Sequence, residues 1–147
     1  MSTDKFIPTP TGKTYNLRGY RFEIYSIDSF CFNKSIDISS ANGVYCFTAK
    51  INKEIVGDEQ KYFKKQHSLI YLGKSEDNDG INGRLVSSHE HFNDIKTMNP
   101  TSLGIYECVD GEDPKKIESA ILAKYDFIIN KAENTDSNGK MVTVEED

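Results

Sequence analysis

Two short runs, Val44-Tyr45-Cys46-Phe47-Thr48 and Ser68-Leu69-Ile70-Tyr71-Leu72, constrain this chain more than anything else in it. Both are rich in β-branched and aromatic residues and read as strands. Asn42-Gly43 opens the first and Gly73 closes the second, so both are bounded by turn or strand-stop residues. A third run, Leu103 to Val109, reads the same way. Upstream, Tyr20, Phe22 and Ile24 share one parity, which predicts a strand with one buried face. Arg18 and Arg21 beside Tyr20 and Tyr25 read as solvated arginines on that strand, a mix that also suits a nucleic-acid backbone.

Two helices are expected beyond the second strand. Leu85, Phe92 and Ile95 fall roughly on one face of a helix that begins near Arg84 and is broken by Asn99-Pro100. Asp113-Pro114 is a helix start, with Asp as N-cap and Pro at the first helical position. Ile117, Ile121, Leu122 and Tyr125 then form an apolar stripe. These elements predict an α/β chain of the α+β kind: a small three-stranded, mostly antiparallel sheet flanked by helices, with an N-terminal strand extension.

The domain plan has three parts. Residues 1–40 are an extension beside the core, beginning with a loose leader around Pro8, Pro10 and Gly12. Residues 41–134 are the core domain, and residues 135–147 a flexible acidic tail. Between the first two strands, Lys50 to Gln66 reads as a polar insert, with a short helix over Asp58 to Lys65. His67 reads as an ordinary loop or strand-edge histidine.

Net charge is −5, which argues against tight non-specific duplex binding. Four of the carboxylates lie in the last thirteen residues, against one lysine there, so the tail is a separate charge block. No apolar segment approaches the ~18 residues of a membrane span. The first residues lack a charged-then-apolar signal pattern, which predicts a cytoplasmic protein with no membrane partner. Cys31, Cys46 and Cys108 show no metal-binding spacing and read as buried free thiols.

The residues that carry chemistry are informative as an ordered set. Gly43-Val44-Tyr45 opens one strand and Tyr71-Leu72-Gly73 closes the next; Lys74 and Ser75 follow directly. Arg84 starts the next helix, Glu118 sits one turn into the Asp113-Pro114 helix, and Asn130 comes twelve residues later. Read blandly, the tyrosines are sheet aromatics and Arg84 and Glu118 an ion pair. Glu118 shares a helix side with Ile121 and Leu122, so it points toward the sheet and needs a partner there, a metal or Arg84.

The set resembles the GIY-YIG nuclease family over residues 41–134. The two tripeptides match as Gly43-Val44-Tyr45 and Tyr71-Leu72-Gly73, and the Gly-Lys-Ser continuation as Gly73-Lys74-Ser75. The helix arginine matches Arg84, the metal-binding glutamate Glu118 and the closing asparagine Asn130. The gap between the tripeptides is longer than usual. The family's His or Tyr four residues after the arginine is replaced by Ser88, with His89 and His91 beyond. Phe127 stands where a proline is usual.

The resemblance implies a metal-dependent endonuclease using Mg²⁺ or Mn²⁺ on nucleic acid, DNA rather than RNA, with a homodimer as one route to cutting both strands. Glu118 would anchor the metal and Arg84 would hold a phosphate oxygen. Tyr71 would activate water, with Tyr45 supporting it. Lys74 would lower the tyrosine pKa or touch phosphate, and His89 or His91 is the alternative base. Gly73, Ser75 and His91 would contact substrate, while Gly43 and Asn130 would be structural at the site. The competing reading is a catalytically inactive module that binds nucleic acid or a protein.

Overall fold

In the computed structural model, which describes residues 5–56, 61–76, 78–131 and 140–147, the uncharged runs lie at the heart of a larger sheet than expected. Its strands are β1 (Thr9–Leu17), β2 (Tyr20–Ser26), β3 (Gly43–Val56), β4 (Lys61–Ser75), β5 (Ser102–Glu107) and β6 (Thr143–Glu145). They lie in the order β1-β2-β5-β3-β4-β6, and every neighbouring pair is antiparallel. The helices are short: α1 (Ile81–Arg84), α2 (Phe92–Thr97), α3 (Pro114–Leu122) and α4 (Ile128–Lys131).

This corrects the expected small three-stranded sheet flanked by helices. The sheet has six strands and curls into a half-barrel. Three misread segments account for the difference. The leader enters β1 at Thr9, because Pro10 sits on the edge strand beside a bulge between Pro10 and Thr14, where its missing N–H breaks no ladder bond. The supposed insert is the far end of the β3–β4 hairpin, with Lys50 opposite His67 and Val56 opposite Lys61. Lys61–Lys65, expected in a helix, is therefore strand; residues 57–60 lie outside the described residues. At the other end, residues 143–145 pair with β4 where a loose tail was expected, while residues 132–139 lie outside the described residues.

The expected helix from Arg84 to Ile95 is two short ones. Leu85 leaves helical geometry (φ −87, ψ 55), and its carbonyl accepts from Ile36 N–H at 2.7 Å instead of continuing the helix. The Asp113-Pro114 start holds: the Asp113 carboxylate accepts from Lys115 N–H at 3.0 Å, and Ile117 and Ile121 are buried.

Strand alternation divides the core between two faces. The concave face carries Tyr15, Leu17, Phe22, Ile24, Val44, Cys46 and Leu72, covered at one end by Ile117 and Ile121 of α3. The convex face carries Tyr45, Phe47, Ile70, Tyr71, Leu103 and Ile105, covered by Ile81, Leu85, Phe92 and Ile95 and by the segment through Ile27 and Ile36. The curl is visible in one contact: Tyr15 of β1 meets His67 of β4, with ring centroids 5.2 Å apart although three strands lie between them in the sheet. The C-terminus completes the curl, since Asp147 N–H donates to Thr14 C=O at 2.8 Å.

All three thiols are free; Cys46 is buried, Cys108 half-buried and Cys31 exposed. Burial pushes the Cys46 thiol up to about 12 against the lowering pull of the Tyr15 hydroxyl, 2.6 Å from its sulfur, so it stays protonated. Among the described residues no helix is long and apolar enough to cross a membrane.

Candidate active site

The candidate residues gather at the part of β4 that β6 does not cover. β6 pairs only with residues 66–68, which leaves the outer edge near Tyr71 and Leu72 open to side chains from both faces. At Leu72 that edge is taken by Asn130 of α4. Its Oδ1 accepts from Leu72 N–H at 2.8 Å and its Nδ2 donates to Leu72 C=O at 2.9 Å. One amide thus satisfies both outward backbone groups of Leu72 and fixes α4 beside the site.

A bulge sets the direction of Tyr71. Phe47 pairs with Tyr71 and Thr48 with Leu69, so β4 carries one extra residue at Ile70. Without it, Tyr71 would share the face of His67 and Leu69. With it, Tyr71 turns to the convex face and joins Tyr45, His89 and His91. The Tyr71 ring lies 6.3 Å from Tyr45, 5.5 Å from His89 and 4.9 Å from His91.

His89 is locked. The backbone N–H of His91 donates to its Nδ1 at 3.0 Å, which puts the ring proton on Nε2. Nε2–H then donates to the Tyr45 hydroxyl oxygen at 2.9 Å. Burial first, then the charges of Arg84 and His91, drive the His89 pKa down to about 4. With both nitrogens committed and the ring neutral at pH 7, His89 is a donor in this arrangement and has no lone pair for a water proton. Tyr45 is fully buried and its pKa is raised, chiefly by burial and by Tyr71 nearby, although Arg84 also bonds its hydroxyl. Tyr45 is therefore a fixed neutral phenol. Of the two histidines read as the alternative base, His89 is therefore not placed to take a water proton.

Arg84 ends α1, which is tied down by Asn82. The Asn82 Oδ1 accepts from Ile38 N–H (2.7 Å) and Ser39 N–H (2.8 Å), and Ile81 N–H donates to Ala41 C=O at 2.9 Å. The Arg84 charge is felt at Tyr45, at His89 and at Glu118. Glu118 approaches from the concave side. It is half-buried, and burial raises its pKa against the opposing pull of Lys74 and Arg84; Glu76 adds to the rise. Lys74, opposite Val44 and so on that same face, also pairs with Glu76 at 3.4 Å.

Tyr71, His91, Glu118 and Asn130 line one cavity of about 440 Å³. Arg84 and His89 line an adjoining recess of about 250 Å³, and Glu90 borders both. Tyr71 and Glu118 thus share one cavity, while Arg84 lines the recess beside it and acts on Glu118 through its charge. Two other expected contacts are placed elsewhere. Ser75 is fully buried, with its hydroxyl 3.1 Å from Asn42 Oδ1. Gly73 faces protein: a Cβ there would land on the Tyr45 ring. At Gly43 a Cβ would strike the Tyr106 carbonyl in β5.

Sequence reasoning missed Glu90 and Asp126 on the cavity wall; Phe127, noted only as standing where a proline is usual, is fully buried there as well. Asp126 is itself buried, and the only hint was its place just after Tyr125, the last residue of the helical stripe. Among the described residues no cluster of three or more His, Cys, Asp or Glu side chains is placed to hold a metal ion.

Two expectations follow from this geometry. Gly73→Ala drives a methyl into the Tyr45 ring, and overpacking of this kind costs about 1–3 kcal/mol. The melting temperature should drop, and any activity should fall further than the loss of folded protein explains, because the Tyr45–His89 bond is displaced. The second concerns acid. The folded state holds His89 neutral down to about pH 4, whereas unfolded His takes a proton near its ordinary 6.5. The unfolded chain thus binds more protons between these values, so stability is full above about 6.5 and is lost as pH falls toward 4. His67, lowered by burial, adds to the same slope. Urea melts across this range should show it, and His89→Gln should flatten it in part.

Comparison with protein-family models, curated proteins and solved structures finds no match to the chain.

Proposed function

We propose that this protein is a metal-dependent endonuclease that hydrolyses phosphodiester bonds in nucleic acid, DNA before RNA, as the resemblance to GIY-YIG nucleases implies. One observation carries the reading: Tyr71 and Glu118, 47 positions apart in sequence, line one cavity, and the Arg84 charge reaches Glu118 from the adjoining recess.

In this reading the guanidinium of Arg84 pairs with a non-bridging phosphate oxygen and strengthens its hold as charge builds toward the transition state. Tyr71 faces the attacking water. An ordinary phenol, with a pKa of ~10, is a poor base at neutral pH, so it relies on nearby positive charge to accept the water proton. Tyr45, held by His89 and Arg84, keeps Tyr71 in place by packing. Glu118 holds Mg²⁺ or Mn²⁺, which when bound supplies charge neutralisation at the phosphate and the leaving oxygen. The three free thiols suit a reducing compartment, and we place the protein in the cytoplasm. A homodimer would bring two such sites to a duplex.

A second reading, a binding module that does not cut, is favoured by the carboxylates. Glu90, Glu118 and Asp126 all line the cavity of a chain whose net charge is −5, and a polyanion meets repulsion there. Plasmid and single-stranded substrates, incubated with Mg²⁺, Mn²⁺ or EDTA, separate the two. Nicking that EDTA stops and that Arg84→Ala reduces by about 100-fold or more supports the nuclease. Absence of cutting on every substrate and at any metal concentration, with the fold intact, supports the module.

A further inference from the structure

The half-barrel has a second opening, at the end of the concave face that α3 does not cover. Strand alternation brings one residue after another to its mouth: Lys13 from β1, Ser26 from β2, Ser102 from β5, Lys50 from β3, and Lys65 from β4. They surround a cavity of about 530 Å³, within the range of small-molecule sites, and barrel mouths are common places for them. Among the described residues, none that lines it also lines the cavity of Tyr71 and Glu118.

The floor is a buried polar chain. His67 is fully buried; its Nδ1 lies 2.9 Å from the Thr48 hydroxyl and its Nε2 3.0 Å from the Glu146 carboxylate. The Glu146 side chain is 5% exposed and also meets Lys50 Nζ at 3.6 Å. A carboxylate has about four acceptor sites, and these two partners leave room for a hydroxyl from the cavity. Asp28, at the rim, is bonded by the Ser26 hydroxyl at 3.1 Å. Lys13 and Lys65, both exposed, form no ion pair among the described residues. The mouth therefore offers two unmatched ammonium groups above a floor with a hydroxyl-accepting carboxylate.

We propose that this mouth binds a small phosphorylated molecule that also bears hydroxyl groups, a sugar phosphate or a nucleotide. Lys13 and Lys65 take the phosphate as point charges, and Glu146, held by His67 and Lys50, accepts from a hydroxyl of the sugar. Ser102, 5% exposed, lines the same cavity. The inference does not depend on the nuclease reading.

Calorimetric titration of the full chain at low salt tests it, with ribose 5-phosphate, a nucleoside monophosphate and inorganic phosphate as probes. A saturable signal is expected for the first two, whichever binds more tightly naming the source, with inorganic phosphate weaker. Lys13→Ala/Lys65→Ala should weaken binding at least roughly tenfold, the loss of charged hydrogen bonds, and as both lysines are exposed the fold is kept. Glu118→Ala, in the other cavity, should leave it unchanged. Absence of saturable binding by all three probes overturns the proposal. So does binding that survives the double variant, binding lost in Glu118→Ala, or equal affinity for inorganic phosphate and ribose 5-phosphate.

Discussion

Glu118→Ala is expected to reduce metal-dependent cleavage by roughly 100- to 1000-fold while leaving the melting temperature equal or higher. The two halves of this result come from one cause. Glu118 is half-buried and burial raises its pKa, so the folded protein holds a carboxylate at a cost. A cation binds that carboxylate only once its proton has left. Metal affinity should therefore rise with pH through a range above the ordinary glutamate value near ~4.3, and the acid limb of the activity profile should follow it. Glu118→Gln, of the same size, should lose activity as Ala does and lose the acid limb of metal binding. Nicking assays across pH, with calorimetric titration of Mn²⁺, provide the readouts. Activity retained within a few-fold in both variants would remove the carboxylate from the reaction.

Deleting residues 140–147 is expected to lower the melting temperature by roughly 10–20 °C. The segment was expected to be a flexible acidic tail, yet it is bonded along its length. Met141 N–H donates to Lys124 C=O at 3.1 Å, and Asp126 N–H to Met141 C=O at 2.8 Å. Leu69 N–H donates to Val142 C=O at 3.0 Å and Glu146 N–H to Lys65 C=O at 2.9 Å. Val144 is buried in the concave core. Each hydrogen bond contributes about 1 kcal/mol net, and burying a Val about 1.5–3 kcal/mol. Removing Glu146 also strips His67 of a partner while opening its burial to water. A total of about 5 kcal/mol or more is a large share of the 5–15 kcal/mol that folded domains have. A calorimetric scan of the shortened chain, beside Val144→Ala alone, measures it. A shift of only a degree or two would mean that the last residues hang free.

The segment also ties the candidate site to the rest of the fold. Asp126, on the cavity wall, is held through its backbone by Met141, and Lys140 Nζ reaches Leu122 C=O at 3.0 Å from the same strap. Loss of the strap should thus disturb the Glu118 helix as well as the sheet edge.

What the sequence alone determined is local. The uncharged runs around Tyr45 and Tyr71 had to be strands, and Asp113-Pro114 had to start a helix, because propensity and capping act over a few residues. The placing of Glu118 on the sheet-facing side of that helix was legible for the same reason. Only the tertiary structure decided which face each strand residue occupies and which strands share the sheet. The extra residue at Ile70 flips Tyr71 from the His67 side to the Tyr45 side, and one such residue reverses every side chain that follows. The edge pairing of β1 past Pro10, the pairing of β6 with β4, and the loss of the Leu85 carbonyl to Ile36 depend on partners 15 to 79 positions away. Strand pairing and bulges are settled by such distant backbone groups, and no periodicity within a single run records them.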